Sequence, residues 1–162
     1  GDGTLLHAVR ELNGAPVPLL GINVGSLGFL TELAADGVEA SLDRILEGRF
    51  TIFERPLLTA GILNRDGHAE HQLTALNDIV VDEGSPTRRA VRLRMSLSGE
   101  EVGTFTADGM VVATPAGSTA YNLSAGGPVL GPLVKSLVAT PFCPHKPANV
   151  LPGPTSSAIA NG

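Results

Sequence analysis

Residues 106–132 read TADGMVVATPAGSTAYNLSAGGPVLGP, and the fold turns on how this block is read. Asp108-Gly109 has the form of a tight turn, since glycine tolerates positive φ and aspartate can hydrogen-bond its own backbone. Met110-Val111-Val112-Ala113 then predicts a short buried strand. Pro115 fixes its own φ and biases Thr114 away from the helical region, so the strand should end there. The segment that follows, Ala116-Gly117-Ser118-Thr119-Ala120-Tyr121, is too small and polar to serve as core. It can run close to a ligand and offer backbone N–H groups, hydroxyls and one ring, that of the only tyrosine in the chain.

Upstream of the block the pattern is one of short strands. RPLLTAGILNRDGHAEHQLTAL predicts two extended runs around a hairpin at Asn64-Arg65-Asp66-Gly67. Leu76 to Val81 continues as strand, interrupted by Asn77-Asp78. Such a polar pair is either a turn or capping element, or a pair facing a ligand. In residues 85–109, Val91, Leu93, Met95 and Leu97 share one face, with Arg92, Arg94, Ser96 and Ser98 on the other, as in a half-buried antiparallel strand. Gly99-Glu100 turns into Val102 to Ala107, and two sheets packed face to face would absorb these strands.

The first fifty residues have a different period. Leu5, Val9 and Leu12 form an apolar stripe, widened by Leu6 and Ala8, so Thr4 to Leu12 is predicted as an amphipathic helix. Gly1-Asp2-Gly3-Thr4 would feed its N-terminus, where free backbone N–H groups can meet phosphate or ribose. A plain turn with Asp2 or Thr4 near the cap is the competing reading. The string lacks the spacing and lysine of a P-loop. Asn13-Gly14 ends the helix, and Val17 to Val24 predicts a strand buried on both faces. The loop from Gly25 leaves that strand where open α/β sheets bind ligands. Asp36 and Glu39 form a capping box, ahead of a helix with Val38, Leu42, Ile45 and Leu46 on one face and Gly48 at its end. The expectation is an incomplete α/β domain of doubly wound type over residues 1–50, followed over 51–162 by an all-β antiparallel, sandwich-like domain.

Composition narrows the function. A net charge of −5 argues against nucleic acid or an anionic membrane as partner. The run Arg88, Arg89, Arg92 and Arg94 is therefore read as a solvated strand face. One cysteine, Cys143, excludes an internal disulfide and favours a reducing, cytoplasmic setting. Cys143 and His145 lack the second pair that a zinc site needs, and no metal ligands are assigned. Neither GSLG nor GSTA has the frame of a serine-hydrolase elbow.

Five segments, in order, resemble one family. GDGT at 1–4, GINVGSLGFLTE at 21–32, LND at 76–78, DGMVVATPAGSTAYNLSAGGPVL at 108–130 and TPFCPH at 140–145 are similar to the motifs of bacterial ATP-NAD kinases. The block from Asp108 is the specific one, because diacylglycerol-type lipid kinases and 6-phosphofructokinases are similar at GDGT. The resemblance implies phosphoryl transfer from ATP, or from polyphosphate, to the adenosine ribose 2′-hydroxyl of NAD, with a divalent cation such as Mg²⁺ accompanying the ATP. It implies Asp2 as the carboxylate that orients or deprotonates the hydroxyl, with Gly1, Gly3, Thr4 and Gly25 in the phosphate-side loops. Asn77 and Asp78 would contact adenosine and ribose, while Thr119, Ala120 and Tyr121 line the adenine side. Asp108 and Ser124 would meet the nicotinamide end, within a homodimer or homotetramer.

Two positions depart from the family pattern. Asp78 stands where glutamate is usual and reaches one methylene less; Ala116 replaces a hydroxyl residue. The chain begins at Gly1 inside a motif and ends before a later DGQ-like segment, so residues are expected beyond both ends. A protein physically this short would expose strand edges and is expected to aggregate or be inactive. A lipid or sugar kinase sharing GDGT, or an inactive NAD(P)-binding module, are the alternatives.

Overall fold

The computed structural model describes residues 2–24, 30–31, 33–85, 89–145 and, as backbone, 158–161. The chain divides into two compact units, Gly1–Arg55 and Pro56–Gly162.

In the first unit, α1 (Asp2–Leu12) has Leu5, Leu6, Ala8, Val9 and Leu12 half-buried, while Gly3, Thr4, His7, Arg10 and Glu11 are exposed. The expected stripe is present, but the helix begins earlier than the sequence suggested. Asp2 and Gly3 lie in its first turn rather than in a turn before it. An acidic residue there meets the positive end of the helix dipole.

The apolar run at 17–24 differs from expectation. Only Ile22–Asn23 (β1) is strand, in a two-residue parallel pairing with Leu33–Ala34 (β2). Val17, Leu19, Leu20 and Val24 are exposed. A strand buried on both faces needs a neighbour on each edge and a layer over each face, which the described residues of this unit do not supply. The capping box is likewise absent. Asp36 falls within a 3₁₀ turn, Ala35–Gly37, so Gly37 occupies the N-cap of α2 (Val38–Leu46) without a side-chain hydrogen bond. Val38 and Ile45 are half-buried, whereas Leu42 and Leu46 are exposed. Gly48, at φ 72°, ends α2 as expected, with Gly48 N donating to Ile45 O and Arg49 N to Arg44 O.

The second unit is antiparallel throughout. β3 (Leu58–Leu63) and β4 (Ala69–Ala75) form a hairpin. Its turn is held by Asn64, whose Oδ1 accepts from the N–H groups of Asp66 and His68, with Gly67 at φ 82°. β6 (Val91–Leu97) pairs with β7 (Glu100–Ala107). Val91, Leu93 and Met95 are half-buried opposite exposed Arg92, Arg94 and Ser96, so the alternation is real; Leu97 is exposed. Arg88 lies outside the described residues.

The core is a four-stranded sheet in the order β10-β9-β8-β5, made of Ala158–Asn161, Ser136–Phe142, Gly109–Ala113 and Asp78–Asp82. β8, the strand expected at Met110 to Ala113, has partners on both edges and is the best-buried strand. Val111, Ala113, Val138 and Phe142 make the core cluster, with Ala125 and Leu130 packed on it.

Asp108-Gly109 is not a tight turn. The backbone passes from β7 in one sheet straight into β8 in another, and Gly109 is already strand. Glycine is required there for space. A Cβ would sit 2.5 Å from both the Phe142 ring and the Val81 carbonyl oxygen.

Candidate functional site

β8 ends at Ala113, and the chain doubles back over the entrance of β5. Thr114 makes the junction: its N–H donates to the Asn77 carbonyl at 2.9 Å, and its hydroxyl donates to the Leu76 carbonyl. Gly117 N in turn donates to the Thr114 hydroxyl oxygen at 3.2 Å. A 3₁₀ turn, Gly117–Thr119, leads into the short helix α3 (Tyr121–Ser124). The Asp78 carboxylate accepts the Tyr121 backbone N–H. These bonds bring Asn77, Asp78, Thr119, Ala120 and Tyr121 into one polar wall.

Behind the wall lies a hydrogen-bonded scaffold. Ser118, fully buried, donates to Pro115 O at 2.7 Å and accepts from Leu130 N at 2.9 Å. Asn122, also fully buried, donates through Nδ2 to Ser118 O and Pro128 O, and its Oδ1 accepts from Thr140 Oγ1 at 2.8 Å. Buried polar groups are tolerated because they are satisfied. Gly127 leaves the room: a Cβ there would meet Asn122 Oδ1 at 2.2 Å. The hydroxyls of the block thus divide. Thr114 and Ser118 are structural, while Thr119 is half-buried and donates to Ala116 O at 3.2 Å.

Two groups in the wall are held at a cost. Burial pushes the Asp78 carboxyl above the usual aspartate range, and the Tyr121 N–H only partly opposes this. Among the described residues no cation pairs with it. Beside it, Asn77 Oδ1 is buried without a hydrogen-bond partner. An orphaned acceptor costs about 1–3 kcal/mol. A carboxyl shifted by burial beside an unpartnered amide oxygen marks a candidate site.

Asp108 lies at one margin of a depression that Asp82, Glu83, Arg89, Tyr121 and Phe142 also line. The Tyr121 and Phe142 rings are tilted at 56° with centroids 5.6 Å apart. Ser124 is exposed at the end of α3. Sequence reading missed Asn122 and Thr140, and treated His145 as a loop residue. His145 instead pairs with Asp108, Nε2 to Oδ1, at 2.7 Å. Nothing in the local sequence signals a partner 37 residues away. The signal for Asn122 was its place just before Gly126, Gly127 and Pro128, a turn whose Pro128 carbonyl it binds.

In the first unit, Asp2 is half-buried, and its Oδ1 accepts from Leu30 N at 3.3 Å. Gly3 and Thr4 are exposed beside it in the first turn of α1. Gly1 and Gly25 lie outside the described residues. No three of His, Cys, Asp and Glu converge as a metal cage among the described residues. None of their helices is long and apolar enough to cross a membrane.

An α/β portion opening on a carboxylate, joined in sequence to an antiparallel portion with a hydrogen-bonded polar wall, places the chain among proteins of α/β-plus-β build. Profiles described as the ATP-NAD kinase N-terminal domain and the ATP-NAD kinase C-terminal domain match residues 1–50 and 76–152. The chain belongs to the ATP-NAD kinase family. It is 50% identical over 145 residues to the NAD kinase of Symbiobacterium thermophilum, covering 90% of this chain and 50% of that protein. The NAD kinase of Syntrophotalea carbinolica is 44% identical over 149 residues, covering 92% and 52%. The chain therefore spans about half the length of the curated relatives it matches. Among solved structures, yeast NADH kinase complexed with NADH superposes with a TM-score of 0.84 at 32% identity, over 99% of this chain and 46% of that one. An NAD kinase from Archaeoglobus fulgidus in complex with ATP gives 0.78 at 30% identity, over 99% and 58%.

Proposed function

We propose that the protein carrying this chain is an NAD kinase, transferring the γ-phosphoryl group of ATP to the adenosine ribose 2′-hydroxyl of NAD. The observation that carries this reading is the Asn77-Asp78 pair. An unpaired, half-buried carboxylate and a neighbouring orphaned amide oxygen face the turn that the family block builds, and hydroxyl and amino donors of an adenosine would satisfy both. Thr119, Ala120 and Tyr121 line the adenine side. Asp108 and Ser124 meet the nicotinamide end, contributed across the interface of a homodimer or homotetramer.

Asp2 accepts the proton. Its carboxylate is oriented by the Leu30 N–H, and the first turn of α1, with Gly3 and Thr4, offers N–H groups to phosphate. The 2′-O–H bond breaks with its proton passing to Asp2, the oxygen bonds the γ-phosphorus, and ADP leaves with the electron pair of the broken P–O bond. Little covalent chemistry falls to the protein, which mainly positions the reactants. Mg²⁺ belongs to the MgATP substrate. It usually keeps several waters and binds through substrate phosphates with one or two carboxylates, a mode that needs no dedicated protein cage. Polyphosphate is the alternative donor, and the reaction belongs to the cytoplasm.

The test is NADP formation from NAD and MgATP by the intact protein, repeated with Asp2→Asn. Loss of turnover with NAD binding retained supports the assignment. Unchanged turnover removes Asp2 from the mechanism, and an intact protein that binds NAD without phosphorylating it refutes the kinase reading.

A further inference from the structure

We infer that His145 is a positioning residue, which fixes the Asp108 carboxylate at the dinucleotide wall. The inference rests on the assignment of Asp108 to the nicotinamide end of the substrate. Asp108 occupies a single-residue passage between β7 and β8, two strands of different sheets, so neither ladder holds its side chain. Its main chain is held on one side, Asp108 N donating to Phe142 O at 3.1 Å.

The chain leaving β9 supplies the rest. Cys143 takes a left-handed conformation, φ 49°, which folds the next two residues back over the passage. His145 then grips it twice. Its backbone N–H donates to Thr106 O at 2.9 Å, and its ring Nε2 meets Asp108 Oδ1 at 2.7 Å. A backbone bond and a side-chain bond from one residue to positions two apart define both where the carboxylate stands and which oxygen is engaged. The Asp108 side chain is 20% exposed and the His145 side chain 52%. The carboxylate thus lies at the lip of the depression, while the imidazole covers it from the solvent side. The other charged groups lining that depression, Asp82, Glu83 and Arg89, lie on or after β5. Glu83 Oε2 is already engaged by Arg89 N at 2.8 Å and Asp82 Oδ1 by Gly84 N at 2.8 Å. Asp108 is the carboxylate of this group that depends on a side chain distant in sequence.

A charge-assisted hydrogen bond of this kind holds geometry more firmly than a neutral one. Its loss should weaken dinucleotide binding without touching phosphoryl transfer. In the intact protein, His145→Ala is expected to raise KM for NAD about tenfold, leaving kcat and KM for ATP within about twofold. His145→Gln places an amide N–H near the position of Nε2 and is expected to recover most of that loss. The double variant His145→Ala with Asp108→Ala should be no worse for NAD than Asp108→Ala alone, because each change by itself breaks the same interaction. Unchanged KM for NAD in His145→Ala, or additive losses in the double variant, overturns the inference. Should His145→Ala fail to fold, His145→Gln and a spectroscopic reading decide. In protein labelled with ¹⁵N-histidine, the Nε2 resonance of His145 is expected to move in Asp108→Asn; an unmoved resonance overturns the pairing. Failure of the kinase reading appears differently, as absence of NADP formation in the unsubstituted protein with the resonance still moving, and it removes the substrate role assigned to the pair.

Discussion

Gly117→Ala puts the construction of the wall to its most direct test. An ideal Cβ at Gly117 lies 2.0 Å from the Asn77 carbonyl oxygen, 2.3 Å from its carbon and 2.7 Å from its Cα. All three are backbone atoms, so no rotamer change can relieve the contact. Either Asn77 or the 114–119 turn must move by roughly 1 Å before the closest pair reaches a tolerable separation. Overpacking of that kind costs about 1–3 kcal/mol. The displacement also pulls on the Thr114 N to Asn77 O bond and the Gly117 N to Thr114 Oγ1 bond, each contributing about 1 kcal/mol. The expected loss of stability is about 2–5 kcal/mol. At a urea m-value of about 2 kcal/mol/M, the midpoint falls by about 1 M or more. Because Asp78 follows Asn77 in the chain and its carboxylate accepts the Tyr121 N–H, the same shift displaces a proposed ribose contact, and a misplacement of about 1 Å can cost about a hundredfold in kcat/KM. Equilibrium unfolding and NAD kinetics on the same preparation check both numbers. Gly131→Ala is the control: its nearest atom, Val134 Cγ2, is 3.6 Å away, and stability should change by no more than about 0.5 kcal/mol. A Gly117→Ala protein with the parental midpoint and parental KM for NAD would show that the two segments are not packed as described.

Asp78→Asn should raise Tm at pH 7, because burial lifts the Asp78 pKa and its ionised form opposes folding above the folded value. That penalty fades as pH falls through the folded pKa and is gone below the unfolded one, near about 3.9, so the Tm gap should close on acidification; a gap constant with pH contradicts the cause. Under the proposed function, the same variant binds NAD more weakly. Asn122→Ala takes the donor from the Ser118 and Pro128 carbonyls in a buried site and one partner from the Thr140 hydroxyl, and unfolding should report a loss of about 2–4 kcal/mol. A loss under about 1 kcal/mol would mean that water replaces the amide. Cys143→Gly relieves a left-handed non-glycine residue and should stabilise the fold by about 0.5–1 kcal/mol, read as a higher Tm; a lower one would locate the importance of Cys143 in its side chain.

What could be read from the sequence, and what could not, separates by the range of the interaction. The stripe of α1, the Asn64 to Gly67 hairpin and the alternation of β6 are set by residues within a few positions of one another, and each is present. The capping box at Asp36 and Glu39 is local too, yet it lost to a 3₁₀ turn that moved the cap to Gly37. The run at 17–24 failed for another reason: its apolar residues state a preference for burial, but burial is supplied by neighbours. The glycine-rich block shows the same limit inside the site. Asp-Gly at 108–109 has turn chemistry, and local reasoning assigns the glycine to positive φ. The structure assigns it to space, as it does Gly117 and Gly127. Their missing Cβ atoms admit Phe142 and Val81, Asn77, and the Asn122–Thr140 pair respectively. Most of those partners lie 13 to 40 residues away along the chain. A glycine-rich motif is thus one of the most closely packed parts of the second unit, and beside it Asn77 Oδ1 stays without a hydrogen-bond partner and Asp78 without a cation among the described residues. The sequence raised the expectation that the block meets a ligand; the close approach of backbones decides which of its polar groups keep hydrogen-bonding capacity to offer one.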